Sequence, residues 1–135
     1  MNVIHTYTRQ QALADGVLVD IDRLGTLRTE AGIRFPAALT SRLFEEVIKP
    51  PSGTEEDGQS LNGRLWDTLW MLGCAMRGAI SHQRLPGPGP GQTVLYPCLF
   101  VMERGKRAVE KTIKAVCGPG DQGEPVLTLM LPEED

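Results

Sequence analysis

Two hydrophobic rhythms divide this chain, and the change from one to the other restricts the fold more than any single motif. Leu61, Leu65, Leu69, Leu72, Met76 and Ile80 recur every three to four residues, the spacing of one helix face. Trp66 and Trp70, one turn apart, widen that stripe, so the longest helix is expected over 61–80, with Gly73 and Gly78 tolerated inside it. After the proline/glycine alternation at 86–91 the step falls to two: Val94, Tyr96, Cys98 and Phe100, with Leu95, Leu99 and Val101 between them. Alternating proline with glycine supports neither helix nor sheet, so 86–92 reads as a flexible connector.

The period of two persists to the end. Val109, Ile113 and Cys117 alternate with Glu110, Thr112 and Lys114, and Leu127, Leu129 and Leu131 follow. Three neighbouring strands with short connections predict an antiparallel meander, its first strand apolar on both faces and therefore central. The expected fold is α+β: N-terminal helices and one long central helix packed on a small, mainly antiparallel sheet.

Ahead of the long helix, Thr8 and Gln11 have the spacing of a capping box before Ala12 and Leu13, and Gly16 ends that helix just before an apolar run at 17–19. That run is expected to add a strand whose neighbours the pattern does not specify. Asp20 or Asp22 is placed to cap a helix through Leu24, Leu27 and Ala31, closed by Gly32. An extended approach at Phe35 and Pro36 precedes Thr40, which caps a short helix carrying Leu43, Phe44, Val47 and Ile48 and stopped by Pro50 and Pro51. Residues 50–59 concentrate breakers and acids with nothing to bury, and predict an exposed, mobile loop.

With 135 residues, one domain over 1–135 is the economical reading. Cys74, Cys98 and Cys117 are odd in number and form no Cys-x-x-Cys pair, which suits small core residues in a reducing compartment, with a Cys98–Cys117 bridge left open. The opening residues lack a signal peptide's basic and apolar regions, and no apolar run approaches the roughly 18–20 residues of a membrane span, so a cytoplasmic protein without membrane contact is expected. A net charge of −3 argues against a broad nucleic-acid face.

Few residues suggest chemistry. The loop containing Gly118, Gly120, Asp121, Gly123 and Glu124 pairs flexible backbone with two carboxylates and is the candidate ligand site, although a strand rather than a phosphate-binding helix follows it. Asp15, Asp20 and Asp22 offer carboxylates that capping explains better than metal binding. His5 and His82 have no zinc-ligand spacing. Glu55, Glu56 and Asp57, with Arg104, Lys106 and Arg107, are the candidate interaction residues. Arg64, Arg77 and Arg84 extend the basic set, whereas Lys111 and Lys114 fall on opposite faces of a strand. The tryptophans read as core, with Trp66→Ala expected to cost roughly 3–5 kcal/mol if the ring is buried. No cofactor or metal is expected.

Residues 3–20 (VIHTYTRQQALADGVLVD), 31–40 (AGIRFPAALT), 63–70 (GRLWDTLW) and 117–132 (CGPGDQGEPVLTLMLP) resemble, in this order, a family of small, functionally uncharacterised proteins met in bacterial plasmids, integrative elements and phage-related regions. The resemblance implies a setting and no active site. It points to a non-enzymatic interaction protein of a mobile element, with a host or mobile-element protein or a second copy as partner, and inhibition of a CRISPR or restriction system as one role. The alternatives are a small ligand- or nucleotide-binding domain or enzyme using the 118–124 loop with Asp15, Asp20 or His5, and a DNA-binding accessory protein.

Overall fold

The computed structural model describes residues 7–54, 58–85 and 92–134. Helix α1 (Arg9–Ala14) opens with the expected capping box: Thr8 Oγ1 accepts from the Gln11 amide at 3.0 Å and the Gln11 side chain accepts from the Thr8 amide at 2.8 Å. Gly16 then takes the left-handed conformation that turns the chain into strand β1 (Leu18–Asp20). The single helix expected across 22–31 is broken in two. Asp20 caps a tight 3-10 turn (Ile21–Leu24), Gly25 at φ 126° interrupts the ladder, and α2 (Leu27–Glu30) restarts it.

Between Pro36 and the Thr40 cap lies a strand that the periodicity does not announce, β2 (Ala37–Thr40). Thr40 Oγ1 accepts from the Leu43 amide at the start of α3 (Ser41–Leu43), which widens into a π turn (Phe44–Ile48) closed by a Lys49 amide to Phe44 carbonyl bond of 2.8 Å. Helix α4 (Leu61–Met76) is capped by Ser60 and ends short of the expected Ile80. Gly78, expected inside the helix, sits at φ 75° just beyond it, and its amide and that of Ala79 cap the Ala75 and Cys74 carbonyls in a Schellman motif.

Strands β3 (Gln83–Leu85), β4 (Gln92–Phe100), β5 (Val109–Pro119) and β6 (Pro125–Met130) complete one sheet in the order β1-β2-β6-β5-β4-β3. Every pairing is antiparallel except β2 with β6. The α+β class and the C-terminal meander stand as expected. However, β5 and β6 occupy the centre, while β4 lies one strand from the edge. Its residues alternate between buried Val94, Tyr96, Cys98 and Phe100 and a less covered side on which Leu99 is 62% exposed. The run is apolar on both faces, but only one is roofed by a helix.

That roofed face carries Ala37, Leu39, Leu127, Leu129, Ile113 and Ala115 as well, and Leu65, Leu69, Leu72 and Ala75 of α4 belong to the same buried cluster. Tyr96 fixes the register by donating to the Thr68 carbonyl at 3.0 Å. On the opposite face α1 is tied down by Arg9, which donates to Thr128 Oγ1 and the Leu127 carbonyl, each at 2.7 Å. Among the described residues no helix is long and apolar enough to cross a membrane.

Candidate functional site

Leu65, Leu69 and Leu72 use the sheet-facing side of α4, so the flank one residue further along, about 100° round the helix, faces outward. Trp66 is half-buried there and Trp70 is 43% exposed, which removes Trp70 from the expected core. The two indoles stack with centroids 5.7 Å apart and planes 14° from parallel. From two turns further on, at the C-cap of α4, the Arg77 guanidinium reaches back to 5.4 Å from the Trp70 ring centre, within cation–π range. Residues 66, 70 and 77 thus form a ridge along one helix face. Met76, 42% exposed, lies at its end.

Beside the ridge is a cavity of about 470 Å³ lined by Gly32, Ile33, Arg34, Phe35, Gly73, Met76, Arg77 and Leu127. One wall is the 32–35 segment, held by the burial of Ile33, by backbone bonds from Gly32 and Ile33 to the Thr29 and Arg28 carbonyls, and by one side chain that gathers three of its carbonyls. Arg28 pairs with both Asp22 carboxylate oxygens at 2.9 and 3.0 Å, while its remaining nitrogen donates to the carbonyls of Ile33, Arg34 and Phe35 at 2.9 to 3.2 Å. The hydrogen bond to Asp22 holds the Arg28 guanidinium above its ordinary pKa, so the clamp stays charged. Gly73 keeps the other wall open: a Cβ there would come within 3.1 Å of Arg77 Nη1. Among the described residues, the polar side chains lining the cavity are Arg34 and Arg77, and no carboxylate lines it.

Of the expected 118–124 loop, Gly118 belongs to β5 and 120–124 form the β5–β6 hairpin turn, whose acids have partners within the fold. Asp121 accepts from the Arg9 and Gln10 amides at 2.8 and 3.0 Å, serving as a cap on α1. Glu124 accepts from the Gln122 amide at 2.9 Å and curls over Gly120, where a Cβ would meet its carboxyl group at 2.5 Å. A shallow hollow of about 180 Å³ adjoins Gly118 and Gly123. Arg104, Lys106 and Arg107 sit exposed on the β4–β5 connection, and the Arg104 stem packs against Gly53. Thr54, in the loop expected to bury nothing, is fully buried. Glu55, Glu56, Asp57, His5 and the 86–91 part of the connector lie outside the described residues.

The helix-borne arginines separate. Arg64 is 1% exposed, and its guanidinium donates to the Val47, Ile48 and Val101 carbonyls and to Gln59 Oε1. Burial lowers its pKa, with Cys98 and Asp67 opposing. Arg77 and Arg84 stay on the surface. Asp15 accepts from the Tyr7 hydroxyl at 2.7 Å, and His82 Nδ1 faces the Ile80 carbonyl at 2.9 Å. Among the described residues no cluster of acids, histidines and cysteines has the makings of a metal site. The register places Cys117 opposite Gln92, six residues along β4 from Cys98 and so about 20 Å away, and the three cysteines are free.

Arg34 and Arg28 escape sequence reasoning because their roles depend on where the 32–35 segment lands. The spacing of Trp66, Trp70 and Arg77 is the one signal that groups part of the site in advance. A family model described as a family of unknown function (DUF6573) matches residues 1–135. No curated protein and no solved structure matches the chain.

Proposed function

We propose that this chain, which belongs to the DUF6573 family of unknown function, is a non-enzymatic interaction protein that engages a protein partner through the α4 ridge and the cavity beside it. The observation that carries this reading is the exposed Trp70 ring, stacked on Trp66 on one side and met by the Arg77 guanidinium on the other. Tryptophan and arginine dominate binding hot spots because they bury large rigid area while keeping a directional polar group. An apolar cavity bordering them extends the patch beyond the scattered apolar residues of an ordinary surface. The setting belongs to the proposal too: a bacterial mobile element whose product acts on a host component, such as a CRISPR or restriction protein. That part rests on the family resemblance.

The test compares capture from a bacterial host lysate by the tagged protein, Trp70→Ala and Arg77→Ala. A protein retained by the parent and lost with both variants supports the reading. Equal retention by all three, or none by the parent at low and moderate salt, removes it.

A further inference from the structure

We infer that the cavity between the 32–35 segment and α4 recognises the C-terminal residue of a partner polypeptide, taking an apolar side chain against its floor and the terminal carboxylate between Arg34 and Arg77. This deepens the interaction reading and rests on it. The first argument is charge complementarity. Among the described residues two arginines and no acid line the cavity, and no hydrogen bond or ion pair occupies the Arg34 side chain. The Arg77 guanidinium is met by the Trp70 ring and a 3.6 Å contact to Cys74 Sγ, neither of which neutralises it. A planar guanidinium presents its donors as a fork that matches a carboxylate, so two such forks border the cavity without an anion to meet them.

The second argument is shape. Ile33, Phe35, Met76 and Leu127 supply an apolar floor, and at about 470 Å³ the space is within the range of small-ligand pockets. Only at a chain terminus do a carboxylate and an apolar side chain share one Cα, so a single residue satisfies both floor and rim. In an internal Phe-Asp or Leu-Glu pair in extended conformation the two side chains point to opposite faces. Arg28 prepares the site beforehand, because the three carbonyls it gathers hold the 32–35 wall without a ligand.

The chain carries its own reporter, since its two tryptophans both lie on the ridge. The experiment titrates the full chain with N-acetyl-Leu-Phe as free acid, with its C-terminal amide, and with N-acetyl-Phe-Asp-amide, following tryptophan emission. The free acid is expected to give a saturable change at least about tenfold tighter than either amide, weakening with salt. Arg34→Ala and Arg77→Ala should each remove most of that preference while leaving circular dichroism and melting unchanged. Gly73→Ala, which fills the cavity wall, should weaken binding without unfolding the chain. Equal binding of acid and amides, tighter binding of the internal aspartate peptide, or no emission change at millimolar free acid would overturn the inference. A lysate partner lost with Trp70→Ala but kept by Arg34→Ala would also overturn it, and would leave the interaction reading standing.

Discussion

The Arg64 guanidinium lies 4.7 Å from the centre of the Phe100 ring, joining the first turn of α4 to the end of β4 inside the core. Among the described residues no carboxylate bonds it. It is solvated instead by carbonyls, including those of Val47 and Ile48 at the end of the π turn, where helix carbonyls have no partner of their own. Arg64→Met is therefore expected to strand several buried acceptors and cost roughly 3–5 kcal/mol, and Arg64→Lys should recover only part of this because one ammonium cannot span the set. Urea denaturation would measure both.

Asp121 caps α1 from the far end of the chain. Truncating it to alanine should cost about 0.5–2 kcal/mol and show first as faster amide hydrogen exchange across Arg9–Ala14, with the sheet centre unaffected. Protection in α1 equal to that of the parent protein would show that Thr8 suffices as the cap.

Exposure sets different expectations for the two tryptophans. Trp70→Ala should change stability by less than about 1 kcal/mol, and Trp66→Ala, half-buried, by about 1–3 kcal/mol, below the cost of a core tryptophan. If Trp70→Ala instead unfolds the protein, the ridge is a packing element.

Burial pushes the Cys98 thiol up to about 12, with Asp67 adding to the rise, and lifts the Tyr96 phenol well above its ordinary range. Both groups stay protonated in the fold at a pH where the unfolded chain has begun to release those protons. The Cys98 contribution to stability is complete below about pH 9, the ordinary thiol value, and is lost as pH rises from there toward 12, while that of Tyr96 is lost only above about pH 10, each at about 1.4 kcal/mol per pH unit. Denaturation midpoints should fall across that window, and Cys98→Ala should flatten the lower part of the slope. In the native protein iodoacetamide should label the half-buried Cys74 and Cys117 before Cys98.

Gly73→Ala is expected to raise stability by up to about 1 kcal/mol, because alanine is the better helix former and the nearest atom a new Cβ meets is the movable tip of Arg77. A thermal melt reads this directly. A lower melting temperature would mean that Arg77 cannot move aside.

Strong local signals carried much of this fold. The Thr8–Gln11 capping box, the Thr40 cap and the meander formed by β4, β5 and β6 depend on neighbours a few residues apart, so the sequence shows them. Strand β2 is too short and alanine-rich to show a period, and its extended form is held by pairing with β1 and β6. β3, three residues with little burial, exists because β4 offers it an edge. Thr54 reads as loop in the sequence because nothing near it there covers it, yet the fold buries it.

The helix of leucines, the caps, the switch from helical to strand period and hence the α+β class are set by residue order, because each follows from local sterics and the burial of one face. It takes the packed fold to send Arg64 inside while Arg77 stays out, to make Asp121 the cap of α1, and to bring Arg34 and Arg77 to one cavity. Those outcomes depend on which distant backbone groups arrive within hydrogen-bonding reach, and residue type and local spacing do not carry that information.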